Sequence, residues 1–439
     1  MAEALTSASV RRHVQAWLFH RKPAVRALAW MTLSFVVAAP IGAAVGLLGP
    51  LYGVALCIGL AALYAMLRSL HLGLTALIAV IFLLPFAALP INIGFSPTFL
   101  DLVMIAVFFV WVSRLASHKQ RDFLAPAPAL GILAFVALAL VSFILGLQHA
   151  PLTANTARHF AELMLGVLLF FLVVNAVRTE GELRWLVLVI IAAATLAALI
   201  GIALYVMPRP LAVRLLSTLR VVRYPSGPGV LRYILDDPSM PMRAISTSVD
   251  PNVLGGALIF ATTLGAAQMM SRKPVCDRRL LALAVATMGL CLILTFSRGS
   301  FVGLAAALGM LGLLRYRKLL WIGAIVLVLL LLLPPAQVYV QHFVQGLRGQ
   351  DLATQMRFGE YKDAFILVSR YPWLGVGFSG TPEIDTYLGV SSVYLLIAEE
   401  MGFVGLAAYL ATLIVFLAST LGIARRLPVG SRLEPLVYG

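Results

Sequence analysis

The chain has 439 residues, 61% of them hydrophobic and 12% charged, with a mean hydropathy of +0.98. Soluble domains run near 45–50% apolar and about 25% charged, so a water-soluble globule, a disordered chain and a small disulfide scaffold are all excluded. The net charge of +15 comes from 33 Lys+Arg against 18 Asp+Glu, and in a polytopic membrane chain those cations belong to the bilayer surface before any nucleic acid.

In chain order, apolar runs long enough for spans lie at about 27–48, 51–67, 72–90, 100–113, 124–146, 159–177, 185–206, 252–271, 280–296, 300–314, 319–334 and 401–424. The stretch 280–314 holds a single charge, Arg298. As one helix it would be about 52 Å long, so it is expected to fold back at Ser297-Arg298-Gly299. The expected fold class is therefore all-α: one integral membrane domain over 1–439 with about twelve transmembrane helices. No signal peptide is expected, because the first apolar run is span-length and further spans follow. Cys57, Cys276 and Cys291 are too few for a disulfide framework and are expected to be structural.

Counted over alternate connecting segments, 21 Lys+Arg fall on the side of the N-terminus and 12 on the other. The positive-inside rule then places both termini in the cytoplasm. Two long segments, 207–251 and 335–400, are left outside. Eleven of the twelve outward cations are Arg, with Lys362 the exception. Outward positive charge works against orientation, and an anionic ligand at the outer leaflet is its simplest physical reason. Within the second segment Met356, Tyr361, Ala364, Phe365 and Val368 recur at near-helical spacing, which predicts an amphipathic helix along the outer interface.

Four features carry chemistry. Arg298 follows a long apolar run and is a cation that either snorkels or meets a lipid-borne phosphate. Arg243 precedes Asp250-Pro251-Asn252, where Asp250 is a helix N-cap and Pro251 the first helical position, leaving N–H groups to face an anion. Arg158 and Glu162 are spaced for an i,i+4 pair. The stretch from Tyr371 to Phe378 reads Tyr-Pro-Trp-Leu-Gly-Val-Gly-Phe, and Ser391-Ser392-Val393-Tyr394 leads to Glu399-Glu400-Met401-Gly402-Phe403-Val404-Gly405-Leu406.

An Arg before a Pro-Asn helix start, a Ser-Arg-Gly turn, a Pro-x-x-Gly-x-Gly loop and a Glu-x-Gly-x-x-Gly-Leu helix occur here in that order over roughly 240–424. In this the chain resembles the O-antigen ligase and polymerase superfamily of bacterial inner membranes. The resemblance implies a glycosyltransferase using an undecaprenyl-diphosphate-linked glycan at the periplasmic face, with inversion and without metal or other cofactor. It implies Arg243, Arg298 and Glu400 as catalytic candidates, with Arg357, Asn252, Ser391 and Tyr394 as substrate-binding candidates. Polysaccharide chain-length regulators or export proteins are the kind of partner it brings with it.

Ligases of the superfamily carry His-Asn where this chain has Ser391-Ser392, and His342, about 50 residues upstream, is expected to be a surface histidine rather than a substitute. A polymerase of exopolysaccharide, capsule or O-antigen repeat units is therefore the expected function. The alternatives are an O-antigen ligase acting on lipid A–core, and a flippase or transporter of an anionic lipid or solute. A transporter places charges and broken helices at the midplane, whereas here the arginines collect outside.

Overall fold

Every apolar run expected to be a span overlaps a helix in the computed structural model, which describes residues 22–48, 50–92, 94–117, 122–332, 352–379, 390–428 and 430–439. The chain divides into two compact units, Met1–Ser69 and Leu70–Gly439. In the first, α1 (Pro23–Leu48) packs on α2 (Pro50–Arg68). The second holds α3 (Leu70–Leu83), α4 (Phe99–Ala116), α5 (Ala129–Gly146), α6 (Ala154–Ala176), α7 (Glu180–Val206) and a short α8 (Arg209–Thr218). It continues with α9 (Pro251–Met270), α10 (Arg278–Leu294), α11 (Arg298–Leu314), α12 (Lys318–Leu332), α13 (Leu352–Arg370), α14 (Val393–Arg426) and α15 (Glu434–Tyr438).

Among the described residues six helices, α4, α5, α6, α7, α9 and α14, are long and apolar enough to cross a membrane, and shorter apolar helical stretches lie at Pro23–Val36, Gly59–Arg68, Leu70–Leu83 and Arg298–Leu314. Large side chains such as Leu130 (79% exposed), Leu313 (71%) and Phe109 (63%) stand unburied on these helices. Water does not tolerate so much exposed hydrocarbon on a monomer. The protein is a multi-pass membrane protein.

Several helix ends are written in cap residues. Thr98 and Asp101 form a capping box at α4, and Thr179 and Glu182 form another at α7. Some expected ends move. α3 stops at Leu83 rather than near 90, where residues 84–90 turn and bridge Ala88 to Thr98. α5 starts at Ala129 because Pro126 and Pro128 precede it and proline supplies no N–H to a helix interior.

The main core joins α7, α9, α10 and α3. Ala194, Ala197 and Ala198 face Leu254, Leu258 and Ala261, and Met288, Cys291 and Leu292 close the other side. Small residues let these backbones approach: a Cβ on Gly201 would sit 2.9 Å from Cys291 Sγ. Cys291 is buried and Cys276 half-buried, both unbridged, as expected. A second cluster joins α5, α6 and α14 through Phe135, Phe160, Met164, Ile397 and Met401.

The segment 207–251 is not an open loop. α8 and a two-stranded antiparallel ribbon, β1 (Arg232–Tyr233) and β2 (Met242–Arg243), close on Leu204, Ala212, Leu216, Val230, Leu231 and Ile245. In the second long segment α13 is a helix as predicted, but its expected apolar face is split. Ala364 and Val368 are buried with Leu367, while Met356 (43% exposed) and Phe365 (61%) are not. His342 and the rest of 333–351 lie outside the described residues, as do 380–389.

The Arg158–Glu162 pair forms at 3.0 Å, and Arg158 Nε also meets Asp101 Oδ2 at 2.7 Å. That second contact ties α6 to the cap of α4.

Candidate active site

Asn252, at the start of α9, is the centre of the first group of expected site residues. Its Oδ1 accepts a hydrogen bond from Arg243 Nη2 at 3.2 Å and another from Ser297 Oγ at 2.9 Å. Arg243 Nε donates to the Thr295 carbonyl at 2.8 Å, just past the end of α10. Ser297 is the N-cap of α11, so Arg298 is the first helical residue there rather than part of a turn. One amide thus holds the arginine of β2 against the cap that presents Arg298.

The local backbone serves this meeting. A Cβ on Gly255 would collide with Ser300 Oγ, so glycine is what lets α9 and α11 start side by side. Ala244 N–H donates to the Leu294 carbonyl at 2.8 Å and fastens β2 to α10. Ser246 (φ 51°), Val249 (φ 58°) and Phe296 (φ 51°) all take the left-handed conformation, as do Leu235 and Asp236 nearer the ribbon. Bulky or β-branched residues rarely do so, at a cost of about 1–3 kcal/mol each, and such residues gather at functional sites.

One expectation changes here. Asp250 Oδ1 accepts from both Asn252 N–H (2.6 Å) and Val253 N–H (3.3 Å). Those first-turn donors of α9 are therefore occupied by the cap, and the attraction for an anion rests on guanidinium groups. Burial pushes Arg243 below its ordinary value; Asp250 and Asp236 pull it up again, and Arg298 and Arg232 push it down. Arginine remains charged regardless. Convergent cations of this kind favour a multiply charged anion.

A second group lies on α13, α14 and the loop between them. Here backbone meets backbone. Val376 N–H donates to the Glu399 carbonyl at 2.8 Å and Gly377 N–H to the Glu400 carbonyl at 3.0 Å. Phe403 N–H returns to the Pro372 carbonyl at 2.7 Å. Gly375 (φ 71°) and Gly402 (φ 65°, ψ −171°) face the opposing chain so closely that a Cβ on either would collide with it. Gly402 also breaks α14 into a short N-terminal piece and a long apolar one. The Pro-x-x-Gly-x-Gly and Glu-x-Gly motifs are thus two halves of one joint. Glu400 contributes its carbonyl, which also accepts from Ser142 Oγ at 2.5 Å.

Ser391 donates to Glu360 Oε2 through both N–H (3.0 Å) and Oγ (2.5 Å). Tyr394 is half exposed and edge-on to Tyr409 at 6.1 Å, and Arg357 is exposed on α13. The structure thus gathers Arg243, Asn252 and Arg298 into one group and sets Glu400, Ser391 and Tyr394 with Arg357 on the packed pair α13 and α14.

Residues 283–410 match the Wzy_C family model, described as O-antigen ligase. No curated protein matches the chain. The matched stretch contains Arg298, Arg357, Ser391, Tyr394 and Glu400. Arg243 and Asn252 lie before it.

The sequence reading missed Thr295, Ser297 and Glu360 as partners of site residues. Ser297 lies within the Ser-Arg-Gly motif, and the preference of serine for the position before a helix is the signal that marks it as a cap. Glu360 is one of several acidic residues in the segment 335–400. Nothing in the sequence aligns it with Ser391, 31 residues away.

Proposed function

We propose that the protein polymerises polysaccharide repeat units carried on undecaprenyl diphosphate, at the periplasmic face of the inner membrane. Both termini are then cytoplasmic and 207–251 faces outward. The observation that carries this reading is the half-buried Arg243, fixed between Thr295 and Asn252 beside Arg298.

In the proposed reaction an acceptor sugar hydroxyl attacks the anomeric carbon of the donor. The C–O bond to the diphosphate breaks and the hydroxyl proton passes to the departing phosphate or to solvent. Charge develops on the diphosphate as that bond lengthens. Fixed guanidinium groups stabilise it without reorganising, which is where such sites gain most of their rate. Arg243 and Arg298 form the clamp, and Asn252 orients Arg243. Arg357, Ser391 and Tyr394 are assigned to the acceptor glycan, with Glu400 held beside them by the backbone joint.

Polymerase is favoured over ligase by the Ser391 position, where a hydroxyl bound to Glu360 stands in place of the ligase histidine. The test is purified protein given an undecaprenyl-diphosphate repeat unit alone. A ladder of chain lengths supports polymerisation. Transfer only when lipid A–core is added makes the protein a ligase. Outward orientation is checked by labelling Ser226→Cys from the periplasm of intact cells, with Arg317→Cys labelled only after lysis. The reverse pattern overturns the topology.

A further inference from the structure

We infer that Arg232 is a third arginine of the same anion site, placed to take the second phosphate of a lipid-linked diphosphate. The register of the ribbon pairs Arg232 directly with Arg243. Residues opposite one another in an antiparallel pair share a face, with Cβ atoms about 4.5–5.5 Å apart, and like charges there are destabilising. The ribbon has only two residues in each strand. A sequence selected for the ribbon's stability alone would not place two guanidinium groups across it.

The other arginines of this segment show the contrast. Arg209 donates to the Pro238 carbonyl and lies 5.3 Å from the centre of the Tyr233 ring. Arg223 donates to Ser96 Oγ at 2.6 Å. The Arg232 side chain is half-buried and makes no hydrogen bond or ion pair among the described residues. Of the two carboxylates that act on Arg243, Asp250 is committed to the cap of α9, and Asp236 is exposed in a left-handed turn. Across Arg232 and Arg243 the set of counter-charges among the described residues is therefore incomplete. A diphosphate, with a charge on each phosphate, completes it better than a monophosphate.

This inference rests on the diphosphate reading of the site, and the experiment separates the two. Full-length protein in nanodiscs is titrated with undecaprenyl diphosphate and with undecaprenyl phosphate, for wild type, Arg232→Gln, Arg232→Lys, Arg243→Lys and Arg298→Lys. Unliganded thermal stability is measured in parallel. For Arg232→Gln the expected result is unchanged or raised unliganded stability. Affinity for the diphosphate falls at least tenfold, and for the monophosphate less than threefold. Arg232→Lys recovers part of the diphosphate affinity. A loss of unliganded stability in Arg232→Gln marks a structural residue and overturns the inference, as do unchanged affinities for both lipids. If Arg243→Lys and Arg298→Lys lose binding while Arg232→Gln does not, only Arg232 leaves the site. If those two variants bind as wild type does, the diphosphate reading falls and this inference with it.

Discussion

Arg243, Asn252 and Arg298 are assembled through side chains, whereas the Pro372–Gly377 loop and Glu399–Gly402 are assembled through backbone. In the first region the chain is bent into unfavourable conformations at Ser246, Val249 and Phe296 so that charged groups converge. In the second, glycines adopt conformations natural to them so that two chain segments interlock. The first region stores strain and presents charge. The second relieves strain and fixes geometry. Motif residues from the same short family pattern can therefore have different physical duties, and substitutions should separate them.

The largest effect is expected at the joint. Gly402 occupies a conformation that is essentially glycine-only, and an added Cβ meets the Trp373 backbone. Gly402→Ala should abolish recovery of monodisperse protein in size-exclusion chromatography. Wild-type recovery and activity would show that the interlock is not needed.

Next come Arg298→Lys and Arg243→Lys, which keep the charge and lose the planar fork. Each should lower turnover by about 10²–10³, the loss of one transition-state donor, with thermal stability nearly unchanged. Near-normal ladders from either variant remove that residue from the clamp.

A smaller effect belongs to Asn252→Ala, which takes one acceptor from Arg243 and from Ser297. Hydrogen bonds to charged groups contribute about 1.5–3 kcal/mol, so turnover should fall by about tenfold or more, measured with saturating donor. An unchanged rate would mean that Thr295 alone orients Arg243.

Ser391→Ala should do least. It removes one exposed hydrogen bond to Glu360, so a loss below about threefold is expected on the surface scale of such contacts. Ser391→His should give no gain. A large gain in transfer to lipid A–core would show that the position is a damaged ligase site.

The spans were legible because a bilayer demands long apolar runs, and α9 was legible because Asp250-Pro251 is a cap followed by the proline that a first turn accepts. The Arg243–Asn252 contact was within reach for the same reason, since nine residues separate the pair. What stayed hidden depended on distant register. Asp101 and Arg158 are 57 residues apart, Ser142 and Glu400 are 258 apart, and neither pair has a local signature. The face of α13 was half legible. Its spacing gave Ala364 and Val368, but the neighbours that decide which residues turn inward are not in the helix itself.

The glycine joint also bears on how chains of this kind are recognised. A profile that scores Gly375, Gly377 and Gly402 registers a construction detail, shared by any chain that closes this corner in the same way. The matched stretch, 283–410, covers that corner and Arg298 but not the ribbon that carries Arg232 and Arg243. The residues proposed to hold the donor diphosphate are therefore divided between the matched stretch and the segment before it. Recognising that proposed anion site in a sequence then calls for reading residues 207–251 alongside the matched stretch.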